Sequence, residues 1–235
     1  MGAVYKREMK AYFSSPIGYI VSAVMLFLMG LYFTYMFSSG YSDISFMFMS
    51  ISSIALLVSP IITMRLFSED KKQKIDQVLL TAPVKLWKIV AGKFFAALSL
   101  FMLPFSASVL YQLIISFNET ATVSWVMFLS NIVGMVFFGA AILSIGLFIS
   151  AMTESQIIAG IFGMVVAFFI MQIDYFATAV DSEIFSKICT YFSFIQRFYA
   201  FTSGQIDFSN IVFFLSITVF FLYLTNLAMD RKRWA

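Results

Sequence analysis

Apolar positions along the chain gather into six charge-free runs, at about 17–37, 44–64, 94–117, 124–150, 156–173 and 208–229. A helix needs about 20 apolar residues to cross a hydrocarbon core about 30 Å thick, so each run predicts one membrane-spanning helix. Residues 120–153 carry no charge over 34 positions, and Glu154 marks the break before the fifth run. The pattern predicts an all-α polytopic membrane protein with six transmembrane helices.

Outside the runs the period changes. Val4, Tyr5, Met9, Tyr12 and Phe13 recur at helical spacing while Lys6, Arg7 and Lys10 face elsewhere. That spacing predicts an amphipathic helix over 3–14, lying on the membrane with its basic residues toward anionic headgroups. A disordered basic tail that only sets orientation is the alternative. Ser15 then offers an N-cap, and Pro16 suits a first helical turn. In residues 65–93, Ile75, Val78, Leu79 and Ala82 share one face, with Asp76 and Gln77 beside them and Pro83 as a stop. Such a helix, at about 70–82, is too short to stand alone and must rest on the membrane, on neighbouring helices or on a partner protein; the alternative is a solvated connector. The next segment, 84–89, places Trp87 where aromatic belts form. Further on, 174–207 carries nine Phe or Tyr with charges too frequent for a crossing, and predicts short helices that dip part-way into the outer leaflet or lie along it.

Composition supports a lipid solvent: 61% of residues are apolar and 11% charged, against about 45–50% and about 25% in soluble domains. The chain has no His, which removes imidazole chemistry and His metal sites, and Cys189 stands alone, which removes intramolecular disulfides. The near balance of 15 basic and 12 acidic residues does not suit a nucleic-acid binder. Basic residues do sort by loop. Thirteen of the 15 fall in 1–15, 65–93, 151–155 and 230–235, and only Lys187 and Arg197 lie on the other side. Basic loops stay cytoplasmic, so both termini are expected inside. The first run exceeds a signal-peptide core of 7–15 residues and reads as an anchor.

By this reading no run contains an interior charge, which argues against a proton- or sodium-coupled carrier. Hydroxyls at Ser50, Ser52, Ser53, Ser99, Ser106 and Ser108 have no evident base and read as packing or back-bonding groups. There is no phosphate-binding Gly-x-x-x-x-Gly-Lys-Ser/Thr loop, so nucleotide-driven work would have to come from a partner. The rows Ser155, Ala159, Gly163 and Gly139, Leu143, Gly146 allow close helix approach, within the chain or between subunits. Pro60 and Pro104 lie inside runs and predict kinks.

Four stretches carry a family resemblance: Lys6-Arg7-Glu8 to Tyr12-Phe13-Ser14-Ser15-Pro16-Ile17; Pro60-Ile61-Ile62-Thr63-Met64-Arg65-Leu66-Phe67-Ser68-Glu69; Leu79-Leu80-Thr81-Ala82-Pro83 followed by Gly92-Lys93-Phe94; and Gly204-Gln205-Ile206-Asp207-Phe208. In these the chain resembles the ABC-2 class of ABC-transporter permeases, particularly the gliding-motility-associated group and its relatives in sodium export and nitrous-oxide-reductase maturation. The resemblance implies an elbow helix at 3–14 (Lys6, Arg7, Lys10, Tyr12, Phe13), outer-leaflet helices at about 176–203 before the last span, and a coupling helix at roughly Asp70 to Ala82, seated in an ATPase cleft. Glu69, Asp70, Ile75, Asp76, Gln77, Val78, Leu79, Leu80 and Pro83 would form that contact, with a second, smaller one at Met152-Thr153-Glu154-Ser155-Gln156. Relatives usually show Gly-Thr-x-Glu before the Leu-Leu pair, where this chain has Lys74-Ile75-Asp76-Gln77; Asp76 offers a carboxylate one position earlier. The same resemblance implies a non-enzymatic permease in the bacterial inner membrane, with ATP and Mg on separate ATPase subunits and no cofactor of its own. A second permease copy or related subunit would complete it, with a periplasmic auxiliary subunit as a further candidate partner. The alternatives are an ion-coupled secondary carrier and a membrane scaffold that transmits force without transport.

Overall fold

The computed structural model describes residues 1–40, 43–75, 85–117, 124–180 and 183–234. Among the described residues all regular structure is helical. The helices are α1 (Gly2–Ser14), α2 (Pro16–Ser38), α3 (Ser45–Thr63), α4 (Ser68–Lys72), α5 (Leu86–Met102), α6 (Ser108–Ser116), α7 (Trp125–Met152), α8 (Gln156–Ala179), α9 (Glu183–Phe192), α10 (Phe194–Thr202) and α11 (Phe208–Trp234). Six segments are long and apolar enough to cross a membrane: Pro16–Ser38, Ser45–Lys72, Leu86–Ser116, Trp125–Met152, Gln156–Ala177 and Phe208–Arg231.

The turn from α1 into α2 follows from two residues. Ser15 is extended and its hydroxyl accepts from the Ile17 amide at 3.3 Å, while Pro16 opens the helix. At the centre stands α7, packed against α3, α5, α8, α10 and α11. By contrast α2, α8 and α11 turn large apolar side chains outward, among them Phe27, Phe162, Phe169 and Phe220. Apolar surface on that scale is stable only against lipid or another chain.

Close helix approach uses the small residues. A Cβ on Gly163 would lie 2.8 Å from Pro60 Cβ, and one on Gly146 would lie 2.9 Å from Thr63 Cβ, so α8 and α7 both press on α3 through glycine. Pro60 cannot donate to the carbonyl of Leu56, and the Ser59 hydroxyl takes that carbonyl at 2.9 Å instead. The span hydroxyls of Ser52, Ser144, Thr218 and Thr225 likewise donate to carbonyls three or four residues back.

Four features of the spans differ from the sequence expectation, the first being that the second apolar segment reaches Lys72 rather than 64. The third span begins at Leu86 rather than 94, so Lys93 sits inside a helix, about 10 Å from its first residue at 1.5 Å per residue. This span is also broken: Pro104–Ala107 forms a 3-10 turn between α5 and α6. The fifth span runs on through Asp174 to Ala179, taking in the first residues expected of the outer helices. There the Ser193 hydroxyl donates to Asp174 Oδ2 at 2.8 Å, giving a charge at that depth a partner.

Candidate functional site at the root of the 65–93 loop

The cluster begins with α1 crossing α5. Gly92 makes this possible, because a Cβ there would meet Val4 Cβ at 3.0 Å and the Met1 carbonyl at 3.1 Å. The crossing places Glu8 over Lys93. Lys93 is fully buried, and its Nζ lies 2.9 Å from Glu8 Oε1 and 2.6 Å from Asp70 Oδ2. It also donates to the Leu66 carbonyl and sits 5.1 Å from the centre of the Phe67 ring. Arg7 closes the set from the rim, with Nη2 2.6 Å from Glu8 Oε1 and 2.8 Å from Asp70 Oδ2. Two cations and two carboxylates thus neutralise one another across α1, α4 and α5. An unpaired Lys at the centre of a span costs about 2.5–3.5 kcal/mol on insertion scales; Lys93 lies nearer one end, and its partners leave no unpaired charge there.

This arrangement corrects two sequence expectations. Arg7 does not face headgroups with Lys6 and Lys10; it turns inward, while those two lysines stay exposed. Nor are the spans free of buried charge, since Lys93 lies within the third. The pairing explains why this charge does not resemble a carrier's relay: it sits near one end and is held by two carboxylates. Burial alone would lower the Arg7 pKa, but hydrogen bonds and charge attraction from Glu8 and Asp70 outweigh it, and the pKa rises above its ordinary value.

Tyr12 anchors the next turn of α1. Its buried hydroxyl donates to the Ile62 carbonyl at 2.8 Å, and Arg65 lies 5.3 Å from its ring centre while pairing with Glu69 at 3.0 Å. Burial, with the Glu8 charge, pushes the Tyr12 pKa well above its ordinary value, so the phenol stays a donor. Phe13 packs half-buried beside it and stacks edge-on with Tyr19.

The other flank of the loop root is tied to α7. Ser150 Oγ accepts from the amides of Phe67 and Ser68 at 3.1 and 3.2 Å, capping the start of α4, and donates to the Met64 carbonyl at 3.1 Å. Ser68 Oγ donates to the Ser150 carbonyl at 3.1 Å, and Lys71 donates to the Ala151 carbonyl. Lys72 then lines one shallow surface pocket with Glu154, Ser155, Gln156 and Ile157. The two segments singled out in the sequence, the loop after span two and the loop after span four, are therefore neighbours.

Not every expected site residue belongs to one helix. Asp70 lies in α4, which ends at Lys72, and Lys74 takes a left-handed backbone with φ of 58°. A helix cannot run unbroken from Asp70 to Ala82 through that residue. Glycine is the residue that adopts this conformation without strain. Ile75 is half-buried just after the break. Asp76, Gln77, Val78, Leu79, Leu80 and Pro83 lie outside the described residues. Conversely, Glu8, Lys93 and Ser150 hold the root together, yet the sequence reading gave them no role. Glu8 and Lys93 stood within quoted stretches, but their pairing spans 85 positions, beyond any periodicity.

The model of the ABC-2 type transporter family matches residues 1–182, more than three quarters of the chain. This chain belongs to the ABC-2 type transporter family. The match takes in α1 to α8, and so every residue of the charge cluster; α9, α10 and α11 lie beyond it. No curated protein matches the chain. It is therefore a multi-pass membrane permease component and not itself a catalyst.

Proposed function

We propose that this permease takes its energy from a separate ABC ATPase through the 65–93 loop, and uses it for export or for work on an extracytoplasmic partner. One observation carries the reading. Three stretches of the resemblance, Lys6-Arg7-Glu8, Arg65 to Glu69 and Gly92-Lys93-Phe94, lie far apart in sequence and meet at the root of this loop. A rigid root converts a push on the 70–82 segment into movement of whole helices, because α4 is fastened to α1 and α5 by charge and to α7 by Ser150. A loose connector would absorb the same push.

The distribution of basic residues supports an inner-membrane protein with both termini in the cytoplasm, on the same side as this root. A second permease copy or a related permease subunit, with two ATPase subunits, would complete the transporter, with ATP and Mg held by the ATPases. The four stretches favour the gliding-motility-associated group. The test is the ATP hydrolysis of the purified complex carrying Val78→Asp and Leu79→Asp together. The chain should insert normally while the permease-stimulated part of ATP turnover disappears. Wild-type turnover would show that the ATPase docks elsewhere.

A further inference from the structure

A second feature lies at the same end of the bundle, apart from the charge cluster. Between α7 and α11 runs a partly open groove of about 370 Å³, within the usual range for small-ligand pockets. One wall is Phe148, Ala151 and Met152, spaced i, i+3, i+4 along α7; the other is Leu224, Leu227 and Ala228, with the same spacing along α11. The alanines face the gap with too little volume to fill it. The face of α11 continues by one turn to Arg231, which lines the groove at its end. Arg231 is exposed and has no ion-pair partner among the described residues. Asp230 precedes it but does not line the groove. Lys232 and Arg233 follow in the sequence.

We propose that this groove is a binding site for an anionic glycerophospholipid of the leaflet nearest the termini. An acyl chain would lie between Phe148 and Leu224, with its phosphate on Arg231. The charge pattern selects this occupant. Every glycerophospholipid offers Arg231 a phosphate, but a zwitterionic one also brings a headgroup cation that the exposed guanidinium repels, whereas an anionic headgroup brings none. The proposal rests on membrane placement alone and not on the ATPase reading, so either can fail without the other.

The full-length chain, purified and stripped of lipid, is offered equimolar phosphatidylglycerol and phosphatidylcholine, and the lipids retained are identified by native mass spectrometry. Wild type should retain phosphatidylglycerol preferentially. Arg231→Gln should lower that preference about fivefold, the size expected of one basic residue at an anionic surface. Ala228→Trp, which fills the groove and keeps the charge, should lower retention of both lipids. The double variant Lys6→Gln with Lys10→Gln, elsewhere on the same side, should leave the preference unchanged. Equal retention by Arg231→Gln, or an equal loss in the lysine variant, would reduce the effect to general surface charge and overturn the proposal. Efficient cross-linking of Leu224→Cys to a second protein chain in native membranes would overturn it as well, by showing that protein covers the groove.

Discussion

The two ends of the bundle are fastened by different chemistry. Near the termini, α1, α4 and α5 are joined by four paired charges with Lys93 at the centre, and α4 is fastened to α7 by Ser150. At the opposite end, α10 is seated on α7 and α11 by aromatic rings. Phe138, Phe194, Phe198 and Phe214 form one cluster with ring centres 5.3–6.3 Å apart. Of the two cations there, Lys187 forms an exposed pair with Glu183 within α9, while Arg197 lies over the rings of Tyr191 and Phe213 at 4.6 and 4.2 Å and hydrogen-bonds Asn210 at 3.0 Å. Ionic pairing fixes distance and direction, and its loss leaves buried charge uncompensated. Ring packing tolerates sliding and repacking. The first suits a joint that must transmit movement, and the second suits helices that must shift when a path opens.

The sharpest way to break this contrast is Lys93→Met. Removing the central cation strands Glu8 and Asp70 with only the half-exposed Arg7, and should cost about 3–5 kcal/mol in thermal or denaturant unfolding of the detergent-solubilised chain. Phe198→Ala at the other end should cost less, about 1–3 kcal/mol. The detergent micelle already solvates an aromatic ring in the unfolded state, so the cavity rather than the transfer energy sets the loss. Equal costs would erase the distinction. Lys74→Gly should stabilise the chain by about 1 kcal/mol, because glycine holds φ near 58° without the strain a side chain imposes; a loss of stability would mean that the Lys74 side chain contributes more than its backbone costs. The smallest effect belongs to Lys6→Gln and Lys10→Gln, whose exposed side chains should change stability by no more than about 0.5 kcal/mol.

Much of the fold was legible because burial in lipid leaves a plain mark: a run of about twenty residues without charge. The starts of α2 and α8 match their runs to within a residue, since Ser15 and Ser155 cap them and the charges lie outside. The same criterion failed at Lys93. A count of uncharged positions ends a helix at any charge, whereas the helix continues through a charge whose partners come from elsewhere in the fold. Asp174 shows the same thing at the opposite end, carried inside α8 with the Ser193 hydroxyl as its partner. Pro104 announced a kink, but whether the helix bends or gives way to a 3-10 turn depends on its neighbours. The site was legible as a stretch and not as a constellation: Arg7, Tyr12, Glu69, Asp70 and Glu154 could be named, while the role of Glu8, Lys93 and Ser150 exists only where four distant segments meet.

The claim that this meeting point transmits ATPase movement is tested most directly with Asp70→Asn. The amide preserves shape but removes the charge that α4 offers to both Arg7 and Lys93. Permease-stimulated ATP hydrolysis is measured on the intact, folded complex in lipid, beside Phe198→Ala as the comparison from the opposite end. The account predicts a loss of roughly tenfold or more for Asp70→Asn, the scale of a typical coupling free energy, and a change within about twofold for Phe198→Ala. Wild-type stimulation in a folded Asp70→Asn complex would contradict it.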